Sequence, residues 1–221
     1  MEHLKKHEQF ELEVLQEMYN AKLLNKLIFV GGTMLRLCHG LDRYSMDLDF
    51  WITEKIDKTK LFSSLKDLFE NNYKVLDSQD KYYTMIFEIK SGFYPQKLKI
   101  EIRKEPKRVK FEKSIAYSPN SNIQVMLNSI TLDEIMKAKI EAFLNRKEIR
   151  DVYDIEFLFK KGIKPNIDKN TAEKIIKGIN SLTKNDYKIK LGSILEPERR
   201  KYYNDANFRV LKSYLISLLS Q

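Results

Sequence analysis

The apolar positions of the chain alternate between helical and strand periods up to residue 131 and keep the helical period after it. Residues 7–24 set Phe10, Val14, Leu15 and Met18 at helical spacing. The short apolar run Leu27-Ile28-Phe29-Val30 stops at Gly31-Gly32, as a buried strand would, and "TMLRLCHGL" resumes helical spacing through Met34, Leu35 and Cys38. "DLDFWI", residues 47–52, predicts a second strand. Side chains alternate along a strand, so Asp47 and Asp49 share one face and Leu48 and Phe50 the other. Leu61, Phe62, Leu65, Leu68 and Phe69 predict a helix over 58–70. "YYTMIFEI" and "KLKIEIR" predict two more strands, the second with Leu98, Ile100 and Ile102 opposite Lys97, Lys99, Glu101 and Arg103.

From Thr131 onward the pattern is helical. Thr131 and Glu134 have the spacing of a capping box, and Ile135, Ala138, Ala142 and Phe143 carry the helix to Asn145. A second helix is predicted over 148–160, ending before Gly162 and Pro165. "NTAE" at 170–173 opens a third, and "NFRVLKSYLISLL" makes a fourth. Strands mixed with helices therefore come first and helices alone come last. The expected organisation is an α/β domain over 1–120 and a helical domain over 121–221, with the boundary inside 114–130.

Composition narrows the class. With 221 residues, 43% hydrophobic, the chain can bury a substantial core and is not a disordered one. Its formal charge of +9 makes an anionic partner such as nucleic acid plausible, although a lysine-rich solvated surface would give the same excess. A single cysteine, Cys38, excludes an intrachain disulfide, and the three histidines show no metal-ligand spacing with it. The N-terminus is charged throughout, without a signal peptide's apolar core, and no apolar run approaches the ~20 residues that span a bilayer. The expectation is a soluble cytoplasmic protein with no membrane partner.

Candidate chemistry lies between residues 29 and 50. Two carboxylates at i and i+2 of a strand can share divalent cations, and Mg²⁺ is usually held by one or two carboxylates together with substrate phosphates. Glu101, on the polar face of a neighbouring strand, is the candidate third metal ligand beside Asp47 and Asp49. Gly31-Gly32-Thr33 stands at a strand-to-helix turn, where glycine permits close backbone approach to a phosphate and the helix presents unpaired N–H groups. Thr33 offers a hydroxyl and Arg36, one turn along, a cation for the same anion. The thirteen residues between Thr33 and Asp47 suffice for a helix and a return to the adjacent strand.

"GGTMLRLCHGLDRYSMDLDF" followed by "KAKIEAFLNRKEIRDVYDIEFL" resembles the AbiEii/AbiGii family of nucleotidyltransferase toxins, members of the polymerase-β-like superfamily and related to MenT-type tRNA nucleotidyltransferase toxins. The resemblance covers residues 27–162. Gly31, Gly32, Thr33, Asp47 and Asp49 match the superfamily's glycine turn and Asp-x-Asp, with Ser45 two residues ahead of the aspartates. Lys139, Arg146, Arg150, Asp151 and Asp154 match the family's later motif. The fold this implies is an α/β (α+β) mixed sheet with flanking helices, followed by a helical C-terminal region. The implied activity is transfer of a nucleoside monophosphate from an NTP, with Mg²⁺ or Mn²⁺, to an RNA acceptor, the 3′ end of tRNA. That modification would block translation in a toxin–antitoxin or phage-defence (abortive infection) system, opposed by an antitoxin that need not bind tightly. In that scheme Gly31, Gly32, Thr33, Arg36 and Lys139 hold the nucleotide, Asp47, Asp49 and Glu101 the metal, and Asp154 acts on the acceptor or supports Lys139. Arg146, Arg150 and Asp151 play supporting parts.

The residues of the later motif also permit a plainer reading. Lys139 and Arg146 lie about two helical turns apart, while Arg150/Asp154 and Asp151/Asp154 are one turn apart on the next helix. Lys139 can meet a triphosphate or pair with Asp151 and Asp154, and the cluster can simply lock two helices. The run "KLKIEIRKEPKRVKFEK", with Phe111 and Tyr117 nearby, can track an RNA backbone or form a solvated hairpin, and "LEPERRKYY" is a weaker candidate. Two rival functions share the cradle: nucleotidyl transfer to an antibiotic or protein hydroxyl, and an inactive RNA-binding protein of the same fold.

Overall fold

The computed structural model describes residues 1–53 and 56–220. It divides into two compact units, Met1–Thr131 and Leu132–Gln221. In the first, the helix α1 (Glu2–Asn20) precedes β1 (Leu27–Val30), α2 (Gly31–His39), β2 (Asp47–Ile52) and α3 (Lys58–Asn72). The strands β3 (Lys74–Asp80), β4 (Thr84–Lys90), β5 (Leu98–Arg103), β6 (Phe111–Tyr117) and β7 (Gln124–Ile130) follow. All seven strands form one mixed sheet in the order β3-β4-β5-β2-β1-β7-β6. The pairs β2–β5 and β1–β7 are parallel, and the others are antiparallel.

The register decides which face holds the core. Leu48 lies opposite Ile100, and Ile100 opposite Phe87, so the three share a face, and all are fully buried. Against Phe87 pack two aromatics of α3, Phe62 stacked and Phe69 edge-on, each with ring centroids 5.1 Å away. Phe50, on the same face as Leu48, stacks on Phe29 of β1 at 5.1 Å. Asp47 and Asp49 therefore project from the face opposite the α3-packed core, near the centre of the sheet.

The second unit is helical: α4 (Leu132–Arg146), α5 (Ile149–Lys160), α6 (Lys169–Asn180), α7 (Pro197–Ala206) and α8 (Arg209–Leu219). Phe143 of α4, 1% exposed, packs where α6 has only Gly178, whose Cβ would come within 2.9 Å of the ring. Asp168 caps α6 by accepting from the Thr171 N–H at 2.7 Å. Fully buried Glu156 is satisfied by Lys160 at 2.7 Å, the Tyr203 hydroxyl at 3.2 Å and the Leu211 N–H at 3.2 Å. Among the described residues no helix is long and apolar enough to cross a membrane.

Four expectations are corrected. β3, β6 and β7 were not predicted, and β7 lies inside the sheet between β1 and β6, so the first unit runs to Thr131 rather than to 120. The first helix starts at Glu2, and α7, which the apolar spacing does not predict, forms over Pro197–Ala206. The Thr131 hydroxyl is buried without a hydrogen-bond partner among the described residues, and Glu134 pairs with Lys137 at 2.8 Å. The capping box is thus not formed.

Candidate active site

The turn from β1 into α2 is shaped by two glycines. Gly31 has φ +84°, a left-handed conformation that L side chains rarely adopt, and a Cβ there would lie 2.5 Å from Asp49 Oδ2. A Cβ on Gly32 would lie 2.5 Å from Arg43 Nη2 and 2.8 Å from Ser45 Oγ. Asp49, Arg43 and Ser45 therefore crowd against the first turn of α2, where backbone N–H groups lack intrahelical acceptors and the helix dipole favours an anion. This is a cradle that any side chain at 31 or 32 would fill.

Beside it lie the acids. Asp47 is half-buried and paired in register with Lys99; Asp49, also half-buried, is paired with Glu101, which places all four on one face of β2 and β5. Lys99 Nζ is 2.7 Å from Glu101 Oε2. The Lys99 ammonium is held above its ordinary pKa, first by the hydrogen bond to Glu101 and then by the charges of Glu101, Asp47 and Asp49. Among the described residues no group of three or more His, Cys, Asp or Glu side chains is gathered as a metal ion would need. The hard oxygen donors of Asp47 and Asp49 suit a divalent cation that completes its shell with phosphate oxygens. Glu101 stands next to Asp49, as expected, but its carboxylate is engaged by Lys99.

Two other expected contacts are made elsewhere. Thr33 is fully buried and donates to the Asp47 carbonyl at 2.6 Å, so it fastens α2 to the start of β2 and does not face a phosphate. Arg36 donates to Glu8 and, at 3.1 Å, to the Leu41 carbonyl, and its guanidinium carbon lies 3.8 Å from the Tyr44 ring centre. The cation at the cradle is Arg43, 3% exposed, which also donates to the Tyr44 carbonyl at 3.0 Å.

Below the cradle, α1 supplies a buried polar cluster that sequence reasoning overlooked. Glu8 accepts from Arg36, from the Ser118 hydroxyl, and from Asn120 Nδ2 at 3.2 Å. His7 Nε2–H donates to the Met46 carbonyl at 3.0 Å, fixing the residue before Asp47, and lies 3.6 Å from Glu11. Burial lowers the His7 pKa, and burial, then Glu8 and Asp47, push the Glu11 carboxyl well above its ordinary range. A signal was present. Positions 7, 11, 14 and 18 form one stripe of the helix, so His7 and Glu11 fall on the same face as Val14 and Met18.

In the helical unit the later motif assembles as a charge lock between α4 and α5. Lys139, 8% exposed, places Nζ 2.7 Å from Asp154 Oδ2 and 3.6 Å from Asp151 Oδ1. Arg146 grips Asp151 with both Nε and Nη2, at 2.6 and 2.7 Å. Asp151 and Asp154 are fully buried, whereas Arg150, expected to meet Asp154, is exposed. The basic run is partly paired within the sheet: Lys97 with Glu88, Lys99 with Glu101, Lys104 with Asp80, and Lys107 over the Trp51 ring. Arg103, Arg108, Lys110 and Lys113 are exposed, as are Phe111 and Tyr117.

Residues 13–206 match the family model described as nucleotidyl transferase AbiEii toxin, type IV TA system. A crystal structure from H. pylori, provisionally assigned as a nucleotidyltransferase, superposes with a TM-score of 0.58 at 21% identity, covering 95% of this chain and 97% of that one. JHP933 from Helicobacter pylori superposes with a TM-score of 0.56 at 20% identity, covering 94% of each chain. At such identities the likeness shows the fold, an α/β mixed sheet with flanking helices. No curated protein matches the chain. With nearly its whole length matched by the family model, the chain belongs to the AbiEii nucleotidyltransferase toxin family of type IV toxin–antitoxin systems.

Proposed function

We propose that this toxin transfers a nucleoside monophosphate from an NTP to a hydroxyl at the 3′ end of tRNA, with Mg²⁺, and that a cognate antitoxin opposes the resulting block of translation. One observation carries the reading: the Asp49 carboxylate meets the glycine turn at the N-terminus of α2, so a phosphate cradle and a cation ligand share one place. Asp47 and Asp49 would hold the divalent ion, which supplies a positive charge against the phosphates and the departing pyrophosphate. The α2 backbone and Arg43 would orient the phosphates. The acceptor hydroxyl would give up its proton to water, its oxygen would bond to the α-phosphorus as the bond from that phosphorus to the α–β bridging oxygen breaks, and pyrophosphate would leave.

The geometry supports a supporting role for the helical unit's charges. Asp154 is fully buried against Lys139, which favours support of Lys139 over contact with the acceptor. A triphosphate contact would require Lys139 to give up that pair. Exposed Arg103, Arg108, Lys110 and Lys113 are suited to RNA phosphates, which bind by counterion release and lose affinity as salt rises.

The test is incubation of the purified protein with total RNA, total protein and each α-labelled NTP in turn. Label appearing on tRNA 3′ ends is the expected result. Label on protein alone would overturn the RNA acceptor while keeping the transferase chemistry.

A further inference from the structure

Lys99 sits inside the acidic face, not on its margin. It is cross-strand neighbour to Asp47, its ammonium is 2.7 Å from Glu101, and Glu101 is cross-strand neighbour to Asp49. Asp47 and Asp49 both act electrostatically on that ammonium. An isolated exposed lysine–glutamate pair contributes little. Here both partners are partly covered, with side chains 35% and 24% exposed, and two more carboxylates share the face. Three carboxylates and one ammonium leave a charge of −2, which one divalent ion neutralises. Glu101, already hydrogen-bonded to a resident cation, is a poor competitor for a second ion.

We propose that Lys99 is a positioning residue that occupies Glu101, so that this site holds one divalent ion, on Asp47 and Asp49, with each bound nucleotide. The proposal rests on the nucleotidyl-transfer reading. It makes Lys99 a protein-borne substitute for a second metal and removes Glu101 from the metal's ligands. It also separates two roles that sequence spacing alone merges, since Asp47, Asp49 and Glu101 look equivalent as acids.

The ratio of protein-bound Mn²⁺ to protein-bound nucleotide tests it, measured by electron paramagnetic resonance on the full chain with α,β-methylene analogues of the four NTPs. Wild type and Lys99→Arg are expected to hold one Mn²⁺ per nucleotide, and so is Glu101→Gln. Lys99→Met, which frees Glu101, is expected to hold two, and Lys99→Met/Glu101→Gln to return to one. Two ions in the wild type overturn the proposal, as does a single ion in a folded Lys99→Met that binds nucleotide. If Lys99→Met does not fold, Lys99→Gln, which also removes the ammonium, carries the same expectation of two ions, and a single ion in it overturns the proposal. Nucleotide binding that ignores Mn²⁺ in every variant overturns the nucleotidyl-transfer reading itself, and this proposal with it.

Discussion

Gly31 and Asp49 exclude any larger residue at position 31: a Cβ there would lie 2.5 Å from Asp49 Oδ2, on a backbone with φ +84°. Gly31→Ala therefore meets two penalties, the left-handed conformation, about 1–2 kcal/mol, and the displacement of a carboxylate. It is expected to lower the melting temperature by several degrees and to abolish transfer. Gly32→Ala meets only the ends of Arg43 and Ser45, which can move, so its stability is expected to fall less while nucleotide affinity falls at least ~10-fold, as for a loss of ~1.4 kcal/mol. Thermal melts and nucleotide titrations of both variants check this. Equal melting loss with intact binding for Gly32→Ala would show that no phosphate approaches there.

Lys139 and Asp154 give a second, independent expectation. Removing one member of a buried pair leaves an uncompensated charge, commonly costing about 3 kcal/mol. Lys139→Ala is therefore expected to destabilise the helical unit markedly in urea denaturation, and the double variant Lys139→Met/Asp154→Leu to recover most of the loss. A Lys139→Ala protein with unchanged stability but no transfer would instead assign the ammonium to the triphosphate.

Glu11 links stability to pH. Its folded pKa lies above the ordinary 4.5, so the folded state binds more protons than the unfolded one from pH 4.5 upward, and stability falls as pH rises through that interval. His7 acts oppositely: its folded pKa lies below 6.5, so the unfolded state binds the extra proton and stability is lost as pH falls below 6.5. Glu11→Gln removes the first contribution. Its melting temperature relative to wild type is expected to be higher at pH 8 than at pH 4.5, and a difference independent of pH would contradict the burial of an ionisable Glu11.

Metal removal should weaken nucleotide binding, because Asp47, Asp49 and the triphosphate are all anionic and repel one another without a cation between them. Titration of labelled NTP with Mg²⁺ and with excess chelator is expected to show a clear loss of affinity in the second case. Equal affinity would remove the cation from the site.

Much of this arrangement was legible in the sequence, and the parts that were not share a physical reason. β1 and β2 stood out because Leu27–Val30 and Leu48/Phe50 are apolar where the core needs them. β7 did not, because it buries Asn128 and Ser129. Asn128 Nδ2 donates to the Leu27 carbonyl at 3.3 Å and Ser129 Oγ bonds Ser114 Oγ at 2.7 Å, so hydrogen bonds replace the apolar signal. β6 and β3 are edge strands with many exposed positions, which blurs alternation. At the site, Asp47, Asp49 and the glycines were readable from spacing. Whether Thr33 and Arg36 face a ligand or the protein was not, because Glu8 reaches Arg36 from a helix twenty-eight positions away.

The central claim is that Asp49 is a cation ligand of a nucleotidyl-transfer site. Asp49→Asn keeps size and shape and removes the charge. Transfer of label from α-labelled NTP to RNA is the direct measurement, made on wild type and variant proteins of matched melting temperature. Label on the RNA 3′ end with wild type and none with Asp49→Asn, accompanied by relief of growth inhibition in cells, is the expected result. Undiminished labelling by a folded Asp49→Asn protein would contradict the account.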